Sequence, residues 1–162
     1  MSDTHAATHT AGPTQASGLA RVRMASLGAV TMLIIQYVLG MIYNLYGTPP
    51  TATKSIGLFS SPVLALHVIM SILLLVAAIM LLVRAVGARH GLTTLMSALG
   101  LIGIVAAGFA GLAFTSKGSA GASIGMAIAF AVSLACYVVI IFVLAPGSRS
   151  SRSSRSSRAV TT

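Results

Sequence analysis

Four uninterrupted apolar runs constrain this chain more than any other feature: Met24 to Tyr46, Pro62 to Val83, Leu92 to Phe114 and Ala120 to Leu144. About 20 apolar residues in helical conformation cross a hydrocarbon core of roughly 30 Å, and each run reaches that length. In lipid only a helix or a closed barrel satisfies its own backbone. A barrel needs short alternating segments, whereas these runs are continuous. The expected fold is all-α, an integral membrane four-helix bundle with spans at about residues 24–46, 62–83, 92–114 and 120–144 inside a transmembrane domain of residues 21–146. Composition agrees: with 56% hydrophobic and 7% charged residues, a water-soluble domain could not solvate its surface. The first run follows Arg21 and Arg23 as a signal peptide would. It is longer than a signal h-region and no A-x-A site follows it, so it reads as a retained helix.

Charge sets the expected orientation. Ten Lys and Arg stand against one acidic residue, Asp3, for a net charge of +9. Arg21, Arg23, Arg84, Arg89, Arg149, Arg152, Arg155 and Arg158 all fall on one side of the alternating spans, and only Lys54 and Lys117 fall on the other. The positive-inside rule then places both termini in the cytoplasm, with the protein multi-pass in a cytoplasmic (plasma) membrane. Residues 1–20, rich in Thr, Ala, Ser, Gly and His, read as a disordered cytoplasmic leader. Residues 147–162, built on an Arg-Ser-Ser repeat, read as a disordered basic tail lying on anionic lipid headgroups. No aromatic residue is interleaved with those arginines, so nucleic acid is not an expected partner. Gly47 to Ser61, with Pro49 and Pro50, is the longest connection and reads as an irregular cap over the bundle mouth.

An ionisable side chain within a span is costly and marks a functional hypothesis by default. His67 is the one histidine so placed, near the start of the second run, with Ser71 one turn further on the same face. Gln36, Gly40, Tyr43 and Asn44 recur at helical spacing on the first run and form a polar face expected to point inward, where Gln36 and Asn44 could bond to His67, Tyr137 or backbone. Gly103, Ala107 and Gly111 form a small-residue stripe on the third run, and Gly121, Gly125 and Ala129 form another on the fourth. Such stripes permit close backbone approach or leave room for a flat ligand. Met126 lies at nearly the depth of His67, and an imidazole and a thioether form an axial pair for haem. The metal-ligating candidate is thus His67, alternatively a hydrogen-bonded packing histidine, with Met126 or a partner copy's histidine opposite it.

Gln36-Tyr37-Val38-Leu39-Gly40, followed by Leu66-His67 opening a Leu-rich second helix that ends in Leu82-Val83-Arg84, resembles one four-helix half of the haem A synthase family. Gln36, Gly40 and His67 match that family's Q-x-x-L-G motif and its haem-ligating histidine. The resemblance implies a haem b site with His67 axial and Gln36, Gly40, Tyr43 and Asn44 around it. The family's second histidine is replaced in its neighbourhood by Ser123 and Met126, and the chain has no Glu, so haem oxidation is not implied. Leu39-Gly40-Met41 and Asn44-Leu45-Tyr46 before a Pro-containing loop are also similar to small actinobacterial four-helix membrane proteins.

No carboxylate lies in any span, which disfavours a proton- or cation-coupled carrier. Cys136 has no cationic neighbour to form a thiolate, and His67 has no second histidine or carboxylate to complete a zinc site. The expected function is therefore non-catalytic: an accessory or structural subunit of a larger membrane assembly, or a homodimer. The alternative is a haem b-binding electron-transfer module.

Overall fold

The computed structural model describes residues 13–145 except Pro49 and Ala52. Four helices account for most of it: α1 (Pro13–Tyr46), α2 (Pro62–Gly87), α3 (Gly91–Lys117) and α4 (Ala120–Val143). Each is long and apolar enough to cross a membrane, which marks the chain as a multi-pass membrane protein. The last three match the expected spans closely, whereas α1 begins well before Met24. Proline is pre-organised for the first turn of a helix, and Gln15, Ala16, Leu19, Ala20 and Arg21 are good helix formers. Val22, Ser26, Ala29 and Leu33 then continue the helix as one buried stripe. Residues 13–20 of the expected disordered leader are therefore helical; residues 1–12 and the Arg-Ser tail lie outside the described residues.

The helix ends follow local chemistry. Ser61 caps α2, its Oγ accepting from the Leu64 N–H at 3.2 Å, with Pro62 in the first turn. Ser119 caps α4 in the same way through Ala122 N–H at 3.3 Å. Such caps satisfy donors that the first turn leaves without intrahelical partners. At the other end of α3, Gly118 adopts the left-handed conformation (φ 61°) and returns its N–H to the Phe114 carbonyl, a conformation that costs a residue with Cβ about 1–2 kcal/mol.

Every helix packs against its sequence neighbours and α4 closes back on α1, whereas among the described residues the backbones of the diagonal pairs α1–α3 and α2–α4 do not approach closely. The result is an up-down four-helix bundle. The start of α1, the α2–α3 turn and the end of α4 share one end, termed the turn end; loop 1 and the α3–α4 turn share the cap end. The two halves are packed differently. A continuous core of Val22, Ala29, Leu33, Leu74, Ala78, Leu81, Ile104, Tyr137 and Ile140 fills the turn half. Towards the cap end, neither α3 beyond Ile104 nor α4 before Ser133 has a buried residue among those described.

The most extensive interhelical contact joins α3 to α4, and the small residues explain it. Tyr137 lies flat over Gly100, and Ser133 sits on Gly103. The Ser133 hydroxyl has two acceptors in reach, the Gly100 carbonyl at 3.0 Å and the Ala129 carbonyl at 2.9 Å. Further along, Met126 rests on Gly111 and Gly125 faces Ala110. The two small-residue stripes are thus used within the chain.

Loop 1 crosses the mouth of the bundle, as its composition suggested. Thr51 and Lys54 form a small bridge with backbone bonds of 3.1 and 3.2 Å, and Ile56 N–H donates to the Thr115 carbonyl at 3.0 Å, stitching the loop to the end of α3. A Cβ on Gly118 would lie 2.5 Å from the Pro50 carbonyl oxygen. Gly118→Ala is therefore expected to loosen the cap, combining the left-handed cost of about 1–2 kcal/mol with a backbone clash. Thermal unfolding in detergent and proteolysis within loop 1 check it; unchanged loop protection would show that the cap does not depend on this contact.

Candidate functional site

The cap half of the α1–α2 seam brings together Gln36, Gly40, His67 and Ser71. His67 stands in the second turn of α2 and lays its ring against Gly40: a Cβ there would be 3.5 Å from Cε1 and 3.9 Å from Nδ1 of the imidazole. Because Cβ atoms lean toward the helix N-terminus, the bare Gly40 also uncovers the carbonyl of Gln36 one turn earlier, which lies beside the imidazole. His67 Nδ1 is nonetheless buried without a hydrogen-bond partner of good geometry.

Gln36 is only 8% exposed, so its amide must find partners inside the bundle. The Ser71 hydroxyl donates to the His67 carbonyl at 2.8 Å, which commits its single proton. Its lone pair then accepts from Gln36 Nε2. This order orients the amide and leaves Gln36 Oε1 buried with no partner. Two unmatched groups thus border Gly40, an imidazole nitrogen and an amide oxygen. Buried polar atoms are almost always paired; among the described residues Arg23 Nε, Ser97 Oγ and Tyr137 Oη are likewise buried without a partner, and what sets the Gly40 cluster apart is that one of its unmatched atoms is an imidazole nitrogen.

Several expectations are corrected. The Gln36 side chain pairs with Ser71, and it is the Gln36 backbone carbonyl, not the amide, that lies beside His67. Asn44 is exposed, because α1 carries its side chain past the seam near the membrane boundary, where an amide can stay hydrated. Tyr43 is half-buried but turns to loop 1, its hydroxyl donating to the Thr48 carbonyl at 3.1 Å. The inward polar face of α1 therefore ends at Gly40. Tyr137 is fully buried in the turn-half core, over Gly100.

Met126 stands on α4, diagonal to the helix of His67, with its sulfur 3.7 Å from where a Cβ of Gly111 would be. Tyr37 of α1 stacks on Phe130 of α4 with ring centroids 5.4 Å apart, a contact that helical spacing alone did not reveal. Among the described residues no group of three or more His, Cys, Asp or Glu side chains is placed to hold a metal ion. The structure does not bring His67 and Met126 together: the imidazole lies in the α1–α2 seam against Gly40, and the thioether packs on Gly111 of α3, so of the expected pair His67 alone stands in the polar cluster.

No protein-family model, curated protein or solved structure matches this chain. Gln36, Gly40 and His67 lie together at the α1–α2 seam.

Proposed function

We propose that this chain is a non-catalytic accessory subunit of a larger membrane assembly, in a bacterial cytoplasmic membrane with both termini in the cytoplasm. The observation that carries the reading is how the polar groups of the spans are used. Gln36 and Ser71 join α1 to α2, and Ser133 joins α4 to α3, both as seam bonds of the kind that hold membrane bundles together. No carboxylate lies in any of the four spans, which weighs against a proton- or cation-coupled carrier.

A second reading is favoured by one specific observation, the unpartnered Nδ1 of His67 and Oε1 of Gln36 beside Gly40. A packing histidine would be expected to complete its own hydrogen bonds. In this reading the chain is a haem b-binding electron-transfer module, in which His67, with Met126 or His67 of a second copy, would hold the haem. Haem would supply one-electron transfer. The chain's own part is to hold the imidazole through Gly40 and the Ser71-anchored second helix, and to exclude water through loop 1.

Two measurements on one preparation separate the readings. Tagged full-length protein extracted in mild detergent is expected to run as a complex with stoichiometric partner polypeptides, unaffected by His67→Ala. A lone chain or a homodimer showing a reduced haem band that His67→Ala removes would displace the first reading by the second. A lone chain without a band would sink both. For orientation, a cysteine at Ser55 is expected to react with a membrane-impermeant thiol reagent in whole cells, because the native Cys136 is buried and contributes little background. Labelling at Arg89→Cys instead would invert the topology.

A further inference from the structure

A second feature lies at the opposite end of the α1–α2 pair and is independent of the function proposed above. Ala20, Arg21, Met24, Ala25 and Arg84 line an open groove of about 460 Å³ at the turn end. One guanidinium comes from each helix, and both side chains are exposed. The chain's only acidic residue, Asp3, precedes the described residues, so no described carboxylate can neutralise either cation. Two like charges in one groove repel, and a bound anion offsets that repulsion.

The rest of the groove's lining is apolar, and the helix faces next to it are open and apolar further along the span. Met24 is largely exposed. One turn deeper on the same face of α1, a Cβ on Gly28 would meet nothing within 4 Å. On α2, Met80 lies one turn deeper than Arg84 and is half exposed. Cations at the headgroup level above an open apolar track match a molecule with an anionic head and a hydrocarbon chain. Arginine forks are suited to phosphate oxygens, and basic pockets between transmembrane helices recognise anionic headgroups.

We propose that this groove binds one anionic glycerophospholipid, its phosphate between Arg21 and Arg84 and an acyl chain along Met24, Gly28 and Met80. The site is distinct from the Arg-Ser tail, whose attraction to the surface needs no particular lipid position.

The test is native mass spectrometry of the full-length protein purified in mild detergent with equal amounts of phosphatidylglycerol and phosphatidylcholine. The expected result is one phosphatidylglycerol retained in preference to phosphatidylcholine. Arg21→Gln with Arg84→Gln should lower its retention about tenfold or more, since each surface cation contributes several-fold. Arg152→Gln with Arg155→Gln should leave it in place. Gly28→Leu, at an open position that should not disturb folding, should also reduce retention with both arginines present. It decides the question if the double Arg variant does not fold. Equal retention of the two lipids, displacement by inorganic phosphate, loss on changing the tail, or retention unchanged by Gly28→Leu would each overturn the proposal.

Discussion

Gly103→Ala is expected to destabilise the bundle by about 2–3 kcal/mol, a large loss from one methyl group. The new Cβ would collide with the Ser133 hydroxyl and lie 2.9 Å from the Ala129 carbonyl oxygen. The second contact is backbone, so it cannot be relieved by a side-chain rotation. Overpacking a tight interface typically costs about 1–3 kcal/mol. Moving Ser133 also endangers its bond to the Gly100 carbonyl at 3.0 Å, worth about 0.6–1.7 kcal/mol between membrane helices. Gly108→Ala is the control on the same helix, because a Cβ there meets nothing within 4 Å. It should be neutral or slightly stabilising, since alanine has the better helix propensity. Unfolding of both variants in bicelles decides the matter; equal stabilities would mean that α3 and α4 do not meet at Gly103.

The largest effect on the candidate site should come from Gly40, through a graded series. Gly40→Ala places a Cβ 3.5 Å from His67 Cε1, an ordinary van der Waals distance, so the imidazole should stay where it is. Gly40→Leu adds branched carbons where the ring lies and must displace it or part α1 from α2. Nitrogen-15 resonances of the His67 imidazole in bicelles read this directly: alanine should leave them near their native positions and leucine should shift them. If His67 holds haem, leucine should also reduce the reduced absorption band by about tenfold or more, equivalent to at least 1.4 kcal/mol. Native resonances in the leucine variant would show that the ring does not rest on Gly40. Loss with alanine as severe as with leucine would show the seam to be tighter than the 3.5 Å spacing implies.

These two glycines differ in how visible their roles were beforehand. Gly103 belongs to a four-residue repeat of small side chains, and that pattern alone announces close helix approach. Gly40 and His67 stood in separate helices, and helical spacing placed Gly40 on an inward polar face without showing that the imidazole would rest on it. Ser71 was legible as a neighbour of His67 on one face but not as the partner of Gln36, because the rotation of α1 about its axis chooses which polar residue of α2 an amide meets. Asn44 shows the same limit. Helical spacing placed it with Gln36 and Gly40, yet a seam between two helices is narrower than the polar face, and Asn44 falls outside it. The early start of α1 escaped hydropathy because residues 13–20 are not markedly apolar, and Pro, Thr, Ser and Gly among them are residues that also suit a loop.

The sequence by itself determined that the chain has four membrane-length helices, where three of them begin and end, and which residues could carry chemistry within them. It did so because lipid imposes a length and a backbone requirement that composition alone can meet. Only the tertiary structure decided which side chains meet. It placed a solid core in the turn half, set loop 1 across the cap end, paired Gln36 with Ser71, and brought Arg21 beside Arg84. Between helices in lipid, the surfaces facing partners and those facing acyl chains are almost equally apolar. Hydrophobicity therefore does not select a helix rotation, and shape and a few hydrogen bonds do.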